Sequence, residues 1–249
     1  MIEAFLSKLA KSEYKQNFIV KGGYLIGGLV GLDMRATMDL DTTIKGFTLT
    51  HETLLEIANE IIKITTEESF EFKVEGIEDI RETDDYPGLR LKLIASFERI
   101  EVAVMVDVTA GDAITPNEVR YSFNKIFEDE KVELLTYPLE TILAEKIETI
   151  LSRGIATTRP RDFYDVYILY KLKDSQVDYQ LFKQALINTM KKRQSEFNMS
   201  DYKMVLEELR TNDFQQDIWR KYQRQYAYAS DTSFDEVMGV AAELLEKVQ

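Results

Sequence analysis

The 249-residue chain has no cysteine and a single histidine, His51. Without thiols there is no disulfide, no thiolate nucleophile and no cysteine-ligated zinc or iron–sulfur site. With one imidazole, multi-histidine zinc and two-histidine iron sites are excluded, and Ser-His-Asp chemistry has little to stand on. No apolar run approaches the roughly 20 residues that span a bilayer, so no membrane association is expected. Residues 1–8 lack a basic segment followed by a long apolar stretch, so they do not read as a signal peptide, and a cytoplasmic location is the expectation. Any catalysis must rest on carboxylates, lysines and a hard metal ion.

What is present suits a folded, acidic protein. Apolar residues make up 45% and charged residues 30%, enough for a buried core and a solvated surface. The net charge is −13, and residues 1–135 carry most of it, with 26 acids against 15 bases. An acidic chain is not a generic nucleic-acid binder, although its second half is nearly balanced. The pattern of apolar residues predicts helices over 2–14, 24–32 and 51–65 and strands over 38–44, 70–74, 89–97 and 100–108, with a brief apolar stretch at 18–20 leading into Lys21-Gly22-Gly23. From Pro138 onward, helical patterns follow one another at 138–153, 161–173, 178–194, 200–210, 213–228 and 233–248. The reading is α+β: a mixed domain over 1–135 and a helical domain over 136–249 that completes the active-site cleft.

The strongest chemical feature is Asp39-Leu40-Asp41 in the strand predicted at 38–44. Alternation on a strand points both acids to one face, roughly 6–7 Å apart at the backbone, where they can converge on a divalent cation. Taken alone, an Asp-x-Asp also fits a solvated strand face. Gly22-Gly23 precedes it, with Gly23 sixteen positions before Asp39. Glycines at a helix start let backbone N–H groups approach phosphate oxygens, though they also serve tight packing.

Asp107 stands in the middle of Val104-Met105-Val106-Asp107-Val108. A buried carboxylate there needs a metal or a basic partner. Glu101 and Asp112 are weaker rivals nearby. In the helical half, Lys146 sits among Leu143, Ala144, Ile147 and Ile150 and needs a countercharge, either a phosphate or Asp162. Asp162 and Asp165 are three apart and share a helix face.

These pieces, in this order, resemble the AbiEii-type nucleotidyltransferase toxins of abortive-infection and type IV toxin–antitoxin systems, within the DNA polymerase β-like superfamily. Residues 18–41, 104–112 and 143–167 carry the resemblance. The last segment, a lysine helix followed by Arg161-Asp162-Phe163-Tyr164-Asp165, is the most specific. The resemblance implies a polymerase β-like domain with a mixed sheet, followed by a helical bundle. It assigns Gly22 and Gly23 to the phosphates, Asp39, Asp41 and Asp107 to Mg²⁺, Lys146 to the triphosphate, and Asp162 and Asp165 to the family's final acidic motif. Glycine at position 23, where the superfamily often has serine, and Thr37, where many relatives have serine, are departures that leave the metal ligands intact.

The activity implied is transfer of a nucleotide from an NTP to an acceptor, with tRNA or another RNA foremost and a cognate antitoxin encoded nearby. Lys191-Lys192-Arg193 and the run from Arg220 to Tyr226 are candidate RNA-facing surfaces, and solvated helix faces otherwise. The alternatives are a small-molecule nucleotidyltransferase of the antibiotic-modifying type and a non-catalytic nucleotide-binding module.

Overall fold

The computed structural model describes residues 1–35, 37, 39–80, 88–125 and 130–248. Met38, the first residue of a predicted strand, lies outside the described residues. The chain divides into two compact units. The first comprises Met1–Leu29, Ala36–Asp112 and Glu118–Tyr137, and the second comprises Val30–Arg35, Ala113–Asn117 and Pro138–Gln249. Two short segments of the first half thus count with the second unit, which a single boundary at 135 does not capture.

The first unit is built on a mixed sheet. Its described strands are β1 (Phe18–Lys21), β2 (Asp39–Ile44), β3 (Glu71–Ile80), β4 (Gly88–Phe97), β5 (Ile100–Ala110), β6 (Val119–Asn124) and β7 (Lys131–Thr136), in the spatial order β3-β4-β5-β2-β1-β7-β6. β1 runs parallel to β7 and β2 parallel to β5, while the other neighbours are antiparallel. The helices are α1 (Ile2–Lys11), α2 (Gly22–Val30) and α3 (His51–Ile62). α1 packs on β7 and α3 on β3, and α1 touches α3.

Alternation shapes the middle of the sheet. Leu40 is buried between Asp39 and Asp41, and Leu91 and Leu93 are buried on either side of Lys92, while β1 is buried along its whole length. The sequence pattern placed no element at β6 or β7. Charged residues break the apolar runs there, and the strands exist through distant partners: Tyr121 and Phe123 close over Gly28 in α2. α1 stops short of the predicted residue 14 because Ser12 adopts extended backbone and its hydroxyl accepts a hydrogen bond from the Tyr14 N–H. α2 ends before the predicted residue 32 at Gly31, whose φ of +101° suits a helix stop.

The second unit is helical: α4 (Leu139–Arg153), α5 (Pro160–Lys173), α6 (Tyr179–Lys192), α7 (Tyr202–Thr211), α8 (Asp213–Gln225) and α9 (Phe234–Glu246). Pro160 opens α5 at a position where a missing N–H costs nothing. The Asp178 side chain caps α6, and Ser233 with Glu236 forms a capping box on α9. α5 is the central helix. It packs on α4, α8 and α9 and buries residues around most of its circumference. Phe163, Trp219 and Phe234 form its aromatic core, with the Trp219 indole N–H donating to the Thr232 carbonyl at 3.0 Å. No helix among the described residues is long and apolar enough to cross a membrane.

One polar knot ties β1 and β5 to the end of β7. The buried Lys21 ammonium donates to Thr109 Oγ1 at 2.7 Å and pairs with Asp112, and the Tyr137 hydroxyl donates to the same carboxylate. Burial would raise the Asp112 pKa, but the Lys21 charge and the three donors outweigh it and hold the group at about 2. Its folded-state value lies below its unfolded value, so the stabilisation is present above about pH 4 and is lost as pH falls toward 2. Asp112→Asn is expected to cost about 2 kcal/mol at pH 7. In urea titrations, the gap between wild type and variant should narrow as pH falls from about 5 to 3. A gap that stays constant would show that the ion pair contributes nothing.

Candidate active site

The site begins where β1 passes into α2. Gly22 has φ +66°, and a methyl group on it would lie 2.1 Å from Asp41 Oδ2 and 2.7 Å from Asp41 Cγ. Glycine is therefore required twice over, by backbone conformation and by space. The Asp41 carboxylate rests directly over the first residue of a helix. Leu40 is buried between the exposed Asp39 and the half-buried Asp41, which places the two acids on the same strand face.

Register then assembles a row across four strands. Arg90 on β4 is opposite Asp107 on β5, Asp107 is opposite Asp41 on β2, and Asp41 is opposite Lys21 on β1. Asp41 and Asp107 stand abreast on neighbouring strands, about 5 Å apart at the backbone. Like charges in that position repel. The Asp107 carboxylate answers with a fork: Arg90 Nε donates to Oδ1 at 2.7 Å and Arg90 Nη2 to Oδ2 at 2.8 Å. The basic partner that an acid in an apolar strand requires is thus Arg90.

Whether this face suits a divalent metal turns on its donors. Asp39 and Asp41 are oxygen donors on one face, matched to a hard cation, with no nitrogen or sulfur ligand beside them. Asp107 is adjacent in register but engaged by Arg90. Among the described residues, no three acidic or histidine side chains already form a metal-ready group. The residues fit a cation in kind, with two carboxylates presented and the third held by arginine.

The second unit holds a separate charge cluster. Lys146 on α4 donates to Asp162 Oδ1 at 2.5 Å and lies 2.9 Å from Asp165 Oδ2. Arg35 Nε donates to the other oxygen of Asp165 at 2.6 Å. Asp165 and Arg35 are almost fully buried, at 0% and 1% side-chain exposure, so neither charge can rely on water. Burial would lower the Lys146 pKa, but the two aspartates raise it above the ordinary lysine value. Burial would raise the Asp165 pKa, but Lys146 and Arg35 pull it below the usual carboxylate range. Arg159 Nε sits 3.0 Å from Asp162 Oδ2 and is half exposed. Two acids thus face three cations. The countercharge that Lys146 needs comes from both Asp162 and Asp165.

The basic runs are partly spoken for. Arg193 pairs with Glu145 and Glu148 and donates to Thr149 Oγ1 at 2.8 Å. Arg220 pairs with Asp217, and Tyr222 is buried against Trp219.

Residues 4–240 match the sequence profile of the family described as nucleotidyl transferase AbiEii toxin, type IV toxin–antitoxin system. The chain belongs to this family. Two solved structures from Helicobacter pylori share the fold. One is assigned to the nucleotidyltransferases (15% identity, TM-score 0.52, covering 99% of this chain and 92% of that one). The other is JHP933 (16% identity, TM-score 0.51, covering 99% and 90%). No curated protein matches the sequence.

For an AbiEii nucleotidyltransferase, the sequence reading named the acids on this face and missed its cations. Arg90 was legible only as a charge alternating with Leu89 and Leu91 on a buried strand. Lys21 was visible only as the neighbour of the glycine pair. In the second unit's cluster, Arg35 was missed as well: it lies in the same stretch as Asp39, but nothing in its spacing points to Asp165.

Gly22→Ala tests the approach of Asp41. The variant is expected to lose Mn²⁺ binding on this face and to melt lower, because the methyl group displaces the carboxylate. Gly31→Ala is the control: its φ is also positive, but nothing lies within 4 Å of the added carbon. It should melt lower by the conformational cost alone, about 1 kcal/mol, and keep Mn²⁺ binding. Equal Mn²⁺ affinity in the two variants would refute the steric argument.

Proposed function

We propose that this AbiEii toxin transfers a nucleotide from an NTP to an RNA acceptor, with tRNA the first candidate, and that Asp39 and Asp41 hold the Mg²⁺ on which transfer depends. The observation that carries the reading is the Asp41 carboxylate lying over Gly22, beside Asp39 and in register with Asp107. It joins oxygen donors for a hard cation to a glycine-led helix start suited to phosphate. The family supplies the reaction class, and the donor set supplies the choice of a hard ion over a soft one.

In this reading Gly22 and Gly23 hold the outer phosphates by backbone N–H groups. Asp39 and Asp41 would hold the cation that screens the phosphate charge while the acceptor hydroxyl attacks in line. The oxygen–phosphorus bond to the acceptor forms as the bond to pyrophosphate breaks, and the hydroxyl proton passes to solvent. A bound Mg²⁺ would supply charge neutralisation and acidify the attacking hydroxyl. Positioning and electrostatics dominate, so no imidazole is required. Lys146, Asp162 and Asp165 are proposed to serve the triphosphate as a cluster. Their support is the single excess positive charge that Arg159 leaves on it. A neighbouring antitoxin gene is expected from the family, and a cytoplasmic site of action from the substrates proposed.

The test is incubation of the full chain with each labelled NTP, Mg²⁺ and total RNA, with RNA, protein and small-molecule products separated. Label in RNA is expected. Label only in a small molecule or in protein would overturn the acceptor, and none with any NTP would favour a binding module. Asp39→Ala and Asp41→Ala should each lower transfer by at least about a thousandfold with folding intact by circular dichroism. Near-normal transfer in either would remove the site. Lys146→Ala is expected to lower the melting temperature, since Asp162 and Asp165 lose their shared partner. It should also weaken NTP binding, and unchanged NTP affinity in the folded variant would confine Lys146 to stability.

A further inference from the structure

The two cations that end the four-strand row differ in freedom. Lys21 is 7% exposed and tied to Thr109 and Asp112, so it cannot leave without stranding a buried acid. Arg90 is 38% exposed and its carboxylate partner 13%. Its only side-chain hydrogen bonds among the described residues run to Asp107. Register places Arg90 in one row with Asp107 and Asp41, beside the acids proposed for the metal.

We infer that Arg90 is an exchangeable counter-ion: it holds Asp107 while no metal is present, gives up that carboxylate to an incoming divalent cation, and turns its fork onto a phosphate group of the nucleotide. The inference rests on the nucleotidyltransferase reading of the acidic face. Three features carry it. Each oxygen of Asp107 takes one hydrogen bond from Arg90, so the guanidinium and a divalent ion compete for the same charge and the same side of one carboxylate. Asp41 stands abreast of Asp107, so releasing Arg90 without a replacement cation would leave two adjacent carboxylates unscreened. A guanidinium matches phosphate oxygens as well as carboxylate oxygens, so the displaced charge has a destination once a nucleotide is bound. Arg90 is thus a positioning residue in the resting protein and a phosphate ligand in the loaded one. Metal and phosphate should then favour each other's binding.

The test uses the full chain and Mn²⁺ alone, titrated by the electron paramagnetic resonance signal of the free ion. Arg90→Gln is expected to bind Mn²⁺ about tenfold more tightly than wild type without any phosphate ligand. Arg90→Lys, which keeps the charge but loses the fork, is expected to fall between the two. Arg90→Gln should also bind pyrophosphate about tenfold more weakly in the presence of Mg²⁺. Mn²⁺ affinity no tighter than wild type in both variants overturns the competition. Unchanged pyrophosphate affinity in Arg90→Gln overturns the phosphate role. Asp41→Asn separates this from the underlying reading: it should abolish Mn²⁺ binding in wild type and in the Arg90→Gln background. If Asp41→Asn leaves Mn²⁺ binding intact, the acidic face is not the metal site at all.

Discussion

Two carboxylates abreast on neighbouring parallel strands repel, and neither is open enough to water to have that repulsion fully screened. Asp41 and Asp107 are in that position because β2 and β5 pair in parallel register. Much of the polar face answers to this one constraint. Arg90 forks onto Asp107 from the antiparallel neighbour on one side, and Lys21 stands opposite Asp41 on the other. Lys21 in turn needs Asp112, and Asp112 takes hydrogen bonds from Thr109 and Tyr137. The row is a chain of compensations, each charge placed by the one before it.

Backbone geometry enforces the same arrangement from the other direction. Gly22 is the single position where the strand-to-helix turn and the Asp41 carboxylate occupy nearly the same space. Any side chain there forces a choice between the turn and the acid. Local conformation and charge placement therefore depend on one residue with no side chain of its own.

The second unit solves a related problem by a different route. Asp165 is fully buried, and Lys146 and Arg35 both hold its carboxylate. A buried pair of this kind adds little net stability over an apolar core, but removing one partner leaves a charge with nowhere to go. Such clusters tolerate little change, whatever further role they play. Membership of the AbiEii family sets the reaction class, and a chain with one histidine and no cysteine offers carboxylates and lysines for it.

The sequence by itself determined the class of chemistry and the order of a mixed half before a helical one, and it singled out the acids Asp39, Asp41 and Asp107 that the fold brings into neighbouring strands. Those signals are local: strand alternation, glycine pairs and an acid stranded among valines act through neighbours a few residues away. It also carried the family likeness, which rests on short motifs in order. It did not show β6 and β7, which pair with each other and are tied into the sheet by β1, far along the chain. Nor did it show which cation meets which acid. Arg90 with Asp107, Lys21 with Asp112 and Arg35 with Asp165 are separated by 17, 91 and 130 residues. Only strand register and helix packing bring such pairs together, because a charge finds its partner by distance in space and a sequence states distance along the chain.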